Sequence, residues 1–79
     1  MNQKKSRENK IFCGPDSQVV KQKATLYMRA ARELGATARM CGNWQSRNGE
    51  HCLEVGVWTD DPLLTDTALR IMNDDYNNL

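Results

Sequence analysis

Three cysteines and a single histidine are the most reactive side chains of this 79-residue chain. Cys13, Cys41, Cys52 and His51 raise the question of a metal centre or a redox pair. Their spacing speaks against both. There is no C-x-x-C and no H-x-x-x-H. His51 and Cys52 are adjacent on a predicted strand, so they point to opposite faces. Cys41 and Cys52 are offset by four residues along a predicted hairpin, roughly 13 Å at about 3.4 Å per residue. A disulfide tolerates a Cα separation of only about 7 Å. The expectation is therefore three small, half-buried, reduced thiols, with no metal, no cofactor and no disulfide needed by the fold.

The remaining candidates for catalysis are few. A nucleophile-base pair would need Cys13 or a serine brought to His51 by the fold, and no spacing suggests it. Asp60-Asp61 is explained as the start of a helix, where the macrodipole favours negative charge. Asp74-Asp75 stands at the unfavourable end of that same helix and is left for a basic partner or for solvent. The five glycines are scattered singly, so there is no phosphate-cradling loop. The chain is read as a non-enzyme.

The elements that must position any site are clearest at residues 36–59. Asn48-Gly49 suits a two-residue type I′ turn, whose central positions both need positive φ. Closing a hairpin there sets Arg47 against Glu50, Trp44 against Leu53, Met40 against Val57 and Arg39 against Trp58. One face then carries Ala38, Met40, Gly42, Trp44, Leu53, Val55 and Val57. The other carries Arg39, Cys41, Asn43, Gln45, Cys52, Glu54 and Trp58. In this register Trp44 is buried and Trp58 at least partly exposed.

Residues 1–9 are expected to form a disordered basic tail with Lys4, Lys5 and Arg7, and residues 10–79 a single domain. Lys10-Ile11-Phe12-Cys13 is a short strand stopped by Gly14-Pro15. Val20, Ala24, Tyr27, Ala31 and Leu34 recur at helical spacing after an Asp16 or Ser17 cap, and Gly35 ends that helix. Asp61-Pro62 starts a second helix with Leu64, Ala68, Ile71, Met72, Tyr76 and Leu79 inward. The order β-α-β-β-α, with a right-handed crossover, gives a three-stranded sheet ordered 1-3-2 with two helices on one face. This small α+β layout resembles a truncated split β-α-β, or ferredoxin-like, arrangement, in topology alone.

Charge divides the chain. Residues 1–47 balance to +7 and residues 48–79 to −6, a split that points to an electrostatic partner. No apolar run approaches the ~18 residues of a membrane span, and Met-Asn-Gln-Lys-Lys lacks the core of a secretory signal. A cytoplasmic location is expected. The uncovered sheet face is the candidate site: Trp58 and Arg39 as a cation–π anchor, with Asn43, Gln45 and Glu54 around it. Lys21, Arg29 and Arg32 form a basic row on helix one; Asp66, Asp74 and Asp75 make helix two acidic. The expected function is to bind a protein partner and inhibit or adapt it, as small accessory proteins of mobile elements such as phages do. The alternative is nucleic-acid binding through the tail, helix one and the Trp58 face. A homodimer through the open face is a third option.

Overall fold

The computed structural model describes residues 6–79. Five elements follow in the expected order: β1 Ser6–Gly14, α1 Ser17–Glu33, β2 Thr37–Gln45, β3 His51–Thr59 and α2 Leu64–Asn77. The sheet order is β1-β3-β2, with β3 antiparallel to both neighbours. This is the α+β architecture that the sequence predicts. Lys4 and Lys5 lie outside the described residues. Ser6, Arg7, Glu8 and Asn9, expected in the tail, belong instead to β1, where they pair with Thr59, Trp58, Val57 and Gly56.

Helix α1 begins where the Asp16 side chain accepts a hydrogen bond from the Gln18 amide at 2.9 Å. It ends in a Schellman motif: the Ala36 amide donates to the Ala31 carbonyl and the Gly35 amide to the Arg32 carbonyl, both at 3.0 Å. Gly35 takes the φ of +96° that this closure requires. At α2 the Asp61 carboxylate accepts from the Leu63 amide at 3.0 Å. Asp61 thus caps a turn, and the helix proper starts at Leu64, later than the Asp61-Pro62 signature implies.

One face of the sheet packs on the helices. Phe12, Ala38, Val55 and Val57 meet Val20, Ala24, Tyr27, Ala30 and Ala31 of α1, and Leu64, Ala68 and Met72 of α2. Phe12 and Tyr27 cross edge-to-face at 5.5 Å, an arrangement favoured by the ring quadrupoles. Small side chains on α1 and Ala68 on α2 let the two helices approach closely. Leu34 and Leu79, expected inward, remain exposed.

The hairpin register differs from the expected one at two places. The turn is a three-residue loop: the Ser46 amide donates to the Glu50 carbonyl at 2.9 Å, and the Gly49 amide to the Ser46 carbonyl at 3.0 Å. Only Gly49 has positive φ, +79°, whereas a type I′ turn would need Asn48 there too. Trp44 therefore pairs with Cys52, and Asn43 with Leu53. A bulge at Cys41 then adds a second shift, so Met40 pairs with Val55, Arg39 with Gly56 and Thr37 with Trp58.

The cysteine expectation is also corrected. Cys13 and Cys52 face each other across β1 and β3 with Cα atoms 4.2 Å apart, and they are joined as a disulfide. That separation marks a non-hydrogen-bonded cross-strand pair, where side chains come closest. Cys41 is free and exposed.

Candidate functional site

Among the described residues, nothing covers the face of the sheet opposite the helices. Strand alternation puts Arg7, Asn9, Ile11 and Cys13 of β1 there, with Cys52, Glu54, Gly56 and Trp58 of β3. From β2 come Thr37, Arg39, Gly42 and Trp44, each opposite an open-face residue of β3. Trp44 is thus on the open face, 40% exposed, and not in the core. Asn43 and Gln45 turn to the other side: Asn43 stands opposite Leu53, and the Gln45 side-chain amide donates to the Gly49 carbonyl at 3.2 Å. Both were expected to line the site, and neither does.

Two glycines let the tryptophans lie across the sheet. A Cβ on Gly42 would stand 3.0 Å from Cζ3 of Trp44; one on Gly56 would stand 3.1 Å from Cη2 of Trp58 and 2.7 Å from the Cys41 Sγ. Each ring therefore leans over the glycine two residues before it in sequence. Glycine at these two strand positions leaves the room that a side chain would fill, and the ring occupies it. The repeated Gly-x-Trp, Gly42-Asn43-Trp44 and Gly56-Val57-Trp58, is the sequence signal that each ring shares a face with a glycine beside it.

Trp58 is held from its other side as well. The Arg7 guanidinium carbon lies 5.0 Å from its ring centroid, in cation–π range. Arg7 Nε donates to the Asn9 side-chain oxygen at 2.9 Å, and the Asn9 amide in turn donates to the Glu54 carboxylate. The cation over Trp58 is thus Arg7 and not Arg39, which pairs with Gly56 and is exposed beside it. Glu54 is half-buried in the middle of this network. Ile11, 51% exposed, and the Cys13–Cys52 bond extend the apolar area toward the other end of the face.

The basic and acidic residues lie elsewhere. Lys21, Arg29 and Arg32 are exposed on α1, on the helix side of the sheet. Arg32 is partly occupied, its Nη2 donating to the Ala38 carbonyl at 2.7 Å. The surface expected to join helix one to Trp58 is therefore divided between two sides of the molecule. Asp66, Asp74 and Asp75 are exposed on α2. His51 sits at the start of β3, exposed, opposite Gln45 and Gly14. Burial, with Glu8 and Asp66 nearby, raises the Tyr27 hydroxyl above its usual 10.0. Among the described residues no cluster of three His, Cys, Asp or Glu side chains is placed to hold a metal ion. Also among them, no helix is long and apolar enough to cross a membrane. Comparison of the chain with protein-family models, with curated proteins and with solved structures finds no match.

Proposed function

We propose that this chain is a non-enzymatic binding domain that captures a protein partner on its open sheet face and so inhibits or adapts it. The observation that supports this most is that Trp44 and Trp58 both stand on the open face. Tryptophan and arginine concentrate binding energy where they sit in a well-packed centre ringed by polar groups. Trp58 is already fixed between Gly56 and Arg7, so little side-chain freedom is lost on binding. Arg39 and Glu54 supply charges of both signs at its flanks, which suits a mixed protein surface. A role as an accessory protein, such as phages carry, belongs to this reading.

Nucleic-acid binding is the second reading, favoured by two tryptophans and two arginines on an open sheet, the combination used by single-strand readers. Glu54 at the centre opposes a polyanion, and Lys21, Arg29 and Arg32 face away. The two readings separate in one experiment. Immobilised protein, wild type and Trp58→Ala, is used to capture partners from its native host. Oligonucleotide binding is followed by fluorescence anisotropy across a salt series. A captured protein that Trp58→Ala binds at least about fivefold more weakly, with amide spectra unchanged, supports the reading. Capture unaffected by Trp58→Ala defeats it. Tight oligonucleotide binding that falls steeply with salt transfers the face to nucleic acid.

A cytoplasmic location is part of the same proposal and has a consequence: in a reducing compartment Cys13 and Cys52 would stand as a thiol pair. Quenching cells in acid, denaturing and alkylating the protein before weighing it tests this, because Cys52 is buried in the fold. Two modified thiols beyond Cys41 agree with it, and an unmodified pair opposes it.

A further inference from the structure

We propose that the outer edge of β1 pairs with the same edge of a second copy, joining two three-stranded sheets into one continuous sheet. β1 is an edge strand nine residues long, without bulge or proline, and Ser6 through Ile11 are all exposed. Such an edge carries a row of backbone donors and acceptors that readily templates another strand. The opposite edge, β2, is broken by the bulge at Cys41 and is the poorer template.

The backbone defines which groups are free. Cys13 and Cys52 form a non-hydrogen-bonded pair, so the amides and carbonyls of Arg7, Asn9, Ile11 and Cys13 point away from β3. A two-fold axis perpendicular to the sheet would keep both pairs of helices on one side and would oppose residues of like face. Centring that axis on Glu8 would set Glu8 against itself; centring it on Lys10 would set Lys10 against itself. Centring it on Asn9 sets Glu8 against Lys10 of the second copy, twice by symmetry. These pairs fall at non-hydrogen-bonded positions, where side chains are nearest. The same alignment joins Asn9 to Asn9, and Arg7 to Ile11, through about six backbone hydrogen bonds. Strand β1 is thus self-complementary in charge, in face and in hydrogen bonding. The pairing leaves both tryptophan faces open and lays them side by side, so a partner would meet a doubled platform. It does not depend on the function proposed above.

The test is the oligomeric state of the full chain by sedimentation over about 10–300 µM, a range suited to a short edge interface. The expected result is a reversible shift from 9.0 kDa to twice that mass. Protection of the Arg7, Asn9 and Ile11 amides should grow with concentration. Lys10→Glu should weaken the dimer by about tenfold or more, by replacing two attractive pairs with two repulsive ones. The Glu8 carboxylate also accepts a hydrogen bond from the Thr65 hydroxyl of its own chain at 2.7 Å, so each variant is first shown by amide spectra to keep the fold. The double swap Glu8→Lys with Lys10→Glu, folded, should restore the dimer. A chain that stays monomeric throughout overturns the proposal. So does a dimer that ignores Lys10→Glu, or one whose loss the double swap does not reverse.

Discussion

Breaking the Cys13–Cys52 bond should be among the most costly changes to this fold. The bond joins residues 39 apart in sequence. Cross-linking a loop of that size removes about 13 cal/mol/K of chain entropy from the unfolded state, which is about 4 kcal/mol at 25 °C. A domain of 79 residues has a total stability of about 4–12 kcal/mol, so the bond supplies a large share of it. At about 4–8 °C per kcal/mol for a domain of this size, reduction should lower the Tm by about 15–30 °C. Thermal and urea melts with and without reductant measure this, alongside the double variant Cys13→Ala with Cys52→Ala. Cys41→Ser, at the free and exposed cysteine, is the control and should melt like the wild type. The urea m-value should rise on reduction, because the uncrosslinked chain exposes more surface. A Tm that moves by less than about 3 °C in reductant, with the bond shown by mass to be open, would refute the reasoning.

Trp44→Ala should cost only about 1–1.5 kcal/mol, well short of the about 3–5 kcal/mol of a buried aromatic, because the ring is 40% exposed on the open face. Chemical denaturation measures it, and a loss above about 3 kcal/mol would return Trp44 to the core. Tyr27 sets an alkaline limit. Burial raises its folded pKa above 10.0, so its contribution to stability is complete below the unfolded value and is lost as pH rises through the folded one. Denaturant midpoints should fall above pH ~10, and Tyr27→Phe should remove that part of the fall. A Tyr27→Phe profile that declines as steeply as wild type contradicts the assignment.

The helices and the sheet order were legible because each has a local cause. Val20, Ala24, Tyr27 and Ala31 recur at the helical period and are all buried, and Gly35 ends α1 by a geometry that glycine adopts without strain. Strand β1 had no such local marker on its register against β3. No turn joins the two, so their alignment is set by α1 crossing the sheet and by the core. That is why the Cys13–Cys52 contact was missed while Cys41–Cys52 was correctly excluded. A clue was present nonetheless. Phe12 and Leu53 are both apolar and both turn inward, which sends their neighbours Cys13 and Cys52 to the same open face.

The hairpin shows how two small shifts act on a strand of period two. One extra loop residue moves the register by one and exchanges the two faces of β2. The bulge at Cys41 moves it by one again and exchanges them back. Ala38, Arg39 and Met40 thus lie on the faces the sequence assigns, although each has a different partner. Only Gly42 through Gln45, between the turn and the bulge, is reversed. In that segment the alternation places Gly42 with the apolar face, although glycine has no side chain to bury. Gly42 instead carries the Trp44 ring as Gly56 carries Trp58. The three-residue loop and the bulge together bring a second tryptophan onto the open face. A face with one aromatic would be a weak anchor; the second, leaning over its own glycine as Trp58 does, is what the proposal of a partner on this face rests on.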